Sequence, residues 1–347
     1  MWSINSSALV LALLASACAG PQSNGADGAD PEEQLEVSDF RPDLTRTGTG
    51  SDAEVLRVDE LPEAHREVLD AWRTGGFTWA IKRGDVLSDP ALTSFLVDNL
   101  LLLVFEEHQA IRNIQHTTEE PEQLAARRAA YVRARAELPR LGPVAAASVA
   151  EATGLGDDTL FALVKDILAD MGTDGAPAVA GILQSDSALV RYRAASMLGR
   201  LPSAGMDEPA VYAALQAAAE GDSSEIVRVQ ATRSLGERGL WASAGRNLTE
   251  VDLAPSRMAL EACLDDSAEV VRLEAIAGLS LLGDRRAVGA LVVFGRDARR
   301  EQRMRDLSEA GRTIRSLTGQ ELGVDVDAWD AWWETNKEAV EAAGGQR

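Results

Sequence analysis

The sequence predicts an all-α protein, an α-solenoid of stacked helical hairpins behind a disordered N-terminal tether, and three observations carry that prediction. Alanine and leucine carry the apolar content: 46% of the 347 residues are hydrophobic but only 5% are aromatic, a composition suited to close-packed helices. Runs of alternating Val, Ile, Tyr and Thr, the mark of strands, are lacking. In the second half of the chain one short pattern of aspartate, apolar residues and arginine recurs three times, which is the signature of a repeat array.

The N-terminus reads as an export signal over residues 1–18. Ala8 to Ala15 (ALVLALLA) forms an apolar core too short to span a bilayer at ~1.5 Å per residue. Small residues and a polar stretch follow it. Ala15-Ser-Ala-Cys18-Ala19 resembles a bacterial lipoprotein signal, whose cysteine becomes the lipidated first residue of the mature chain. The resemblance implies a lipid anchor at Cys18 and a place on the periplasmic or surface side of the cell envelope. Ala15 stands where leucine is usual, and Met1 to Ser7 holds no Lys or Arg. Ala15-Ser-Ala17 and Ala17-Cys-Ala19 also fit simple cleavage, which would give a secreted protein, and both routes stay open. With Cys18 lipidated, Cys263 is the one thiol left and no intrachain disulfide forms; its apolar neighbours make it a small buried hydrophobe.

Residues 19–60 lack helical periodicity and are rich in Gly, Asp, Glu, Ser and Thr, so they are expected to form a flexible acidic tether. From Pro21 to Asp70 there are fourteen acidic residues against four arginines. Gly48-Thr-Gly50 has no strand before it and no βαβ unit around it, so it is not a dinucleotide fingerprint. An N-terminal helical region is expected over 61–144. Its first helix starts at Pro62 and stops near Gly75-Gly76; a second start is Ser88-Asp89-Pro90. The apolar run Leu100 to Phe105 is bounded by acids and marks a buried helix. A further helix runs from about Pro121 to Leu138.

Residues 145–320 are the repeat array. Asp186-Ser-Ala-Leu-Val-Arg191, Asp222-Ser-Ser-Glu-Ile-Val-Arg228 and Asp266-Ser-Ala-Glu-Val-Val-Arg272 each lead into a helix and follow another apolar helix. One hairpin cannot bury its apolar face alone, so neighbours stack and share a core. The aspartates are placed to accept the free N–H groups of the helix that follows. Each arginine is placed to reach the neighbouring unit's aspartate. This pattern resembles HEAT repeats of the short type named after phycobilin-lyase subunits. The resemblance implies a ladder of Asp and Arg between repeats, carried onto Asp222 with Arg228 and Asp266 with Arg272. Between Asp186 and Arg191 the first unit is one residue short, a departure at that rung.

Residues 321–347 are expected to form a Trp-rich capping helix, with Asp327 as N-cap. The segment from Leu317 to Trp333 looks like one that closes many bacterial HEAT-repeat proteins. Trp329, Trp332 and Trp333 fall at i, i+3 and i+4 on one face, to seal the last repeat or else to offer an aromatic contact for a sugar or peptide.

No catalytic residues are assigned, and no metal or cofactor is expected. His65, His108 and His116 have no second His or Cys at ligand spacing and read as surface histidines. HExxH, G-x-S-x-G and Walker A motifs are missing. The formal charge of −21 argues against nucleic acid as a partner. Two arginine runs, 127–140 and 296–315, suit ladder roles or an anion- or partner-binding patch. Asn247-Leu-Thr is a glycosylation acceptor only in a secreted eukaryotic setting, which nothing here suggests. The function expected is a non-enzymatic binding scaffold of the cell envelope, with a protein or peptide partner and a membrane anchor. The alternatives are a chromophore-lyase-like enzyme by family analogy and a purely structural lipoprotein.

Overall fold

Proline and glycine punctuate the first helices, and small residues then let the later ones stack in two layers. The computed structural model describes residues 44–47, 54–57, 61–112, 121–152, 158–201, 209–243 and 253–343. Cys18, the rest of the expected signal, residues 19–43 of the expected tether, His116 and Asn247 lie outside the described residues. Within the expected tether, β1 (Leu44–Thr47) and β2 (Glu54–Arg57) pair antiparallel, with Leu44 opposite Arg57 and Thr47 opposite Glu54. The tether reading overlooks this hairpin because each strand has four residues, too few for alternation to stand out.

Helix α1 (Glu63–Thr74) follows Pro62 and ends at Gly75, whose φ of 71° is open to glycine without a Cβ penalty. Helix α2 (Gly76–Ser88), passed over in the sequence reading, starts directly after that turn. At the head of α3 (Pro90–Arg112), Asp89 Oδ1 accepts from the Ala91 and Leu92 N–H groups at 2.9 and 3.3 Å. Leu96, Leu100 and Val104 of α3 are fully buried. Among the described residues no helix is long and apolar enough to cross a membrane. Helix α4 (Pro121–Glu137) packs against α3 and leads through a 3-10 turn (Leu138–Leu141) into the array.

The array comprises α5 (Gly142–Glu151), α6 (Asp158–Asp170), α7 (Gly175–Ile182), α8 (Ala188–Leu198), α9 (Pro209–Gly221) and α10 (Glu225–Ser243). It continues with α11 (Ala254–Ala262), α12 (Glu269–Leu282), α13 (Ala287–Arg300), α14 (Met304–Thr318) and α15 (Val326–Ala342). Helices α3, α5, α7, α9, α11, α13 and α15 each touch the next of that series and form one layer, while α8, α10, α12 and α14 form the other. The chain is therefore an all-α solenoid of helical hairpins. The seam between layers is filled by side chains such as Leu198, Leu215, Leu235, Leu260, Leu279 and Leu291, each fully buried and each contributing ~1.5–3 kcal/mol by leaving water.

Helices of the second layer approach very closely. A Cβ on Gly236 of α10 would stand 2.9 Å from Gly278 Cα of α12, so Gly236 has no room for a side chain. Ser234 Oγ donates to the Ala195 carbonyl at 2.7 Å, and Thr313 Oγ1 to the Ile276 carbonyl at 3.5 Å, which ties α8 to α10 and α12 to α14.

Candidate functional site

The repeated arginines form an inter-unit ladder along one edge of the second layer. Arg191 grips Asp222 with Nε and Nη2 at 2.7 and 2.9 Å. Arg228 grips Asp266 likewise at 2.7 and 3.2 Å, and Arg272 Nε donates to Asp306 at 2.8 Å. Each arginine also bonds backward to the carbonyl six residues earlier: Ser185, Asp222 and Asp266, at 2.8, 2.9 and 2.8 Å. One guanidinium thus clamps its own turn and the next unit's turn. Hydrogen bonding to Arg191 holds the Asp222 carboxyl below the usual carboxylate range, against the opposing effect of burial. The Asp222 carboxylate in turn raises the pKa of Arg191, as Asp266 does for Arg228.

Two details correct the sequence reading. The equivalent of Asp222 and Asp266 in the first unit is Ser185, not Asp186. Ser185 Oγ accepts from the Ser187 N–H at 3.3 Å, as Asp222 and Asp266 accept from Ser224 and Ala268 at 2.8 and 2.7 Å. Asp186 is exposed, and it is its backbone carbonyl that meets Arg191, at 3.0 Å. The unit is of full length with a serine in the carboxylate's place. The aspartates also close the turn two residues ahead, and the N-cap of α12 is Ala268, two residues past Asp266. Sequence reading missed Asp306, which is buried in the first turn of α14 and accepts from both Arg272 and Arg303. The six-residue step from Asp306 to Arg312 was the available signal, but Arg312 pairs with Glu309.

The tryptophans seal the C-terminal end. Trp329 is fully buried, donates Nε1 to the Gly323 carbonyl at 3.2 Å and lies so close to Gly295 that a Cβ there would be 2.5 Å from the ring. Trp333 covers Gly289 in the same way at 2.9 Å. Trp332, half-buried, lies beneath the Arg285 guanidinium, 5.4 Å from its ring centre. Asp325, not Asp327, caps α15, accepting from the Asp327 and Ala328 N–H groups at 3.1 and 3.2 Å. Asp327 pairs with Arg299.

The other sequence candidates take structural places. Cys263 is buried, receives the Thr232 hydroxyl at 3.6 Å, and burial pushes its thiol up to about 11. His65 is half-buried against Phe95, with ring centres 4.2 Å apart, and not a surface histidine; burial lowers its pKa. The side chain of His108 lies outside the described residues. Among the described residues no group of three or more His, Cys, Asp or Glu is placed to hold a metal. The second arginine run is a set of ion pairs: Arg296–Asp330, Arg299–Asp327, Arg300–Asp297, Arg303–Asp306, Arg305–Glu269, Arg312–Glu309 and Arg315–Glu321. In the first run Arg133 covers the Trp72 ring and donates to the Trp72 carbonyl, and Arg135 pairs with Asp170 at 2.8 Å. The arginines of the second run are thus each committed to a carboxylate.

What the solvent face of the second layer does present is aliphatic. Two residues before each ladder arginine stand Leu189, Ile226 and Val270, all exposed. On α12 the stripe continues through Leu273, Ala277 and Leu281 along the open side of a groove of about 540 Å³ between α12 and α14, with Glu309 and Arg312 on the far wall. Ion pairs Arg200–Glu237 and Arg233–Glu274 bridge successive helices across the same face at 3.2 and 2.9 Å.

No family profile matches the chain, and no curated protein matches it. Among solved structures, human deoxyhypusine hydroxylase in complex with glycerol is 18% identical, over 64% of this chain and 91% of its own, with a TM-score of 0.30. An engineered protein is 15% identical, over 75% of this chain and 98% of its own, with a TM-score of 0.33. At these TM-scores neither structure bears on what this chain does.

Proposed function

We propose that this chain is a non-enzymatic binding scaffold of the bacterial cell envelope, a HEAT-like lipoprotein of the phycobilin-lyase-type repeat class, anchored by a lipid on Cys18. The observation that carries the binding role is the aliphatic column Leu189, Ile226 and Val270, repeated at one position of successive units beside a ladder that fixes their spacing. Apolar contacts at a regular interval, separated by charges already paired with each other, suit an extended polypeptide segment that lays side chains between helices.

The test is capture from solubilised envelope with the parent protein and with Val270→Asp/Leu281→Asp. Both side chains are exposed, so the variant should melt as the parent does while losing the captured protein. Equal capture by both would remove the face from the binding role. For the anchor, Cys18→Ala should release the protein from membranes or block its processing; unchanged membrane fractionation would refute it. A visible absorption band in the purified protein would point instead to a bound pigment.

A further inference from the structure

Helix α2 is apolar on both sides. Its inward side buries Trp79 and Val86. Its outward side carries Phe77, 81% exposed, and one turn on Ile81, 60% exposed, with Ala80, Gly84 and Leu87 beside them at helical spacing. A Cβ on Gly84 would meet nothing within 4 Å, so the stripe is open at that turn. Both cations of the helix are drawn to its flanks: Lys82 pairs with Glu67 at 2.7 Å and Arg83 with Glu137 at 3.4 Å. Asp85, beside Ile81, is exposed and lies 3.8 Å from Lys82. An exposed helix normally shows water its polar side, so this one is built for a second apolar environment.

We infer that the outward face of α2 seats in the interfacial layer of the bilayer to which the chain is anchored. The inference rests on the lipid-anchor reading above and adds the surface that meets the membrane. Three observations favour a bilayer over another protein. The chain reaches the folded part at this end: β1 lies against α3, on which α2 packs. Twenty-five residues separate Cys18 from Leu44, so β1 cannot stand more than about 85 Å from the anchor in any conformation. The charge is graded in the matching sense. Residues 61–152 carry ten basic against thirteen acidic side chains, whereas residues 153–347 carry twenty-one against thirty-one. An anionic surface repels the array more than the α1–α5 end, which turns α2 inward. A helix with Phe and Ile outward and cations on its flanks then lies in the headgroup boundary, a second signal beside the acyl chain.

The test uses the processed chain with Cys18→Ser and an N-terminal histidine tag, held on phosphatidylcholine–phosphatidylglycerol vesicles that contain a nickel-chelating lipid. An environment-sensitive dye is placed at Ala80→Cys, which leaves Phe77 and Ile81 in position, or at Val293→Cys on the exposed side of α13 as control. Cys263 is buried, with its thiol pushed up to about 11, so it stays unlabelled. Tethering should raise the emission at position 80 by about twofold or more with a blue shift, as expected for transfer from water to the headgroup boundary, and leave position 293 unchanged. Phe77→Ser/Ile81→Ser should abolish the change without loss of helicity. Unchanged emission at position 80 on tethering overturns the inference. So does a blue shift that appears without vesicles and grows with protein concentration, which would show a second copy covering the face. Fatty-acid labelling of Cys18 in cells tests the anchor separately: an unlabelled cysteine sinks that reading, while the tethered result still judges α2.

Discussion

Arg191→Ala is the perturbation that most directly tests whether the ladder holds the array together. The substitution removes both bonds to Asp222 and both to the carbonyls of Ser185 and Asp186. The Asp222 side chain is 6% exposed and that of Arg191 13%, so the pair is mostly out of water. Asp222 would keep the Ser224 N–H as a donor and the nearby charge of Arg228, but would lose the guanidinium that grips it. Breaking a buried pair by removing one partner costs about 3–5 kcal/mol, and residual solvent access brings the expectation here to about 3 kcal/mol. A double-mutant cycle with Asp222→Ala, read by denaturant unfolding, should give a coupling of about 1.5 kcal/mol or more. The pH dependence supplies a second readout. Asp222 has a folded pKa below its unfolded value near 3.9, so its stabilising contribution is fully present above about pH 4. It is then lost as pH falls through the lower folded pKa. The coupling should therefore stay constant from neutral to mildly acidic pH and collapse only in stronger acid. A coupling below about 0.5 kcal/mol at neutral pH would mean that the pair is merely solvated, and the reasoning would fail.

Other expectations follow from packing and burial. Gly236→Ala should lower stability by about 1–3 kcal/mol despite a gain in helix propensity, because its Cβ would meet Gly278 Cα; a more stable variant in denaturant titration would refute the close approach. Cys263 should resist thiol reagents until the protein opens. Its thiol is pushed up to about 11, so above roughly pH 8.5 the unfolded state ionises first and stability falls as pH rises towards the folded value; pH-independent stability there would count against the burial. Trp329→Ala should cost about 3–5 kcal/mol and speed hydrogen exchange chiefly in α13–α15, with a smaller effect from the half-buried Trp332; equal effects would show that the cap does not rest on Trp329.

Much of the architecture was legible because a solenoid writes its periodicity into the chain. Arg191, Arg228 and Arg272 mark one position in three units, and residues at fixed offsets from them do matching jobs. Leu198 and Leu235 lie seven residues on from their arginines and Leu279 does likewise, all in the core. What stayed illegible was alignment at the level of a single residue. Two neighbouring polar residues, Ser185 and Asp186, can each close a turn, and the text of the sequence favours the aspartate. The carbonyl that Arg191 reaches, six residues back in every unit, decides for the serine. Asp306 was hidden for a related reason. It sits inside a helix and not before one, so the pattern that marks Asp222 and Asp266 is broken even though the ladder continues through it.

The two ends of the array show why motif reading finds caps more readily than surfaces. At the C-terminus, aromatic residues at i, i+3 and i+4 must be covered, and Gly289, Gly295 and Gly311 make the space for them. Burial at that end is enforced by size, and size is visible in sequence. At the N-terminus the informative residues are ordinary: Phe77, Ala80, Ile81 and Gly84 look like half of any core helix until Trp79 and Val86 are seen to occupy the inward side. The same holds for Leu189, Ile226 and Val270, apolar residues of the repeat that stand exposed. A hydrophobic pattern specifies which residues share a face, but the neighbour that covers the face is set by the stack. Where the stack leaves such a face bare at a repeated position or at a terminus, the residue types are those of a core and the location is open to solvent.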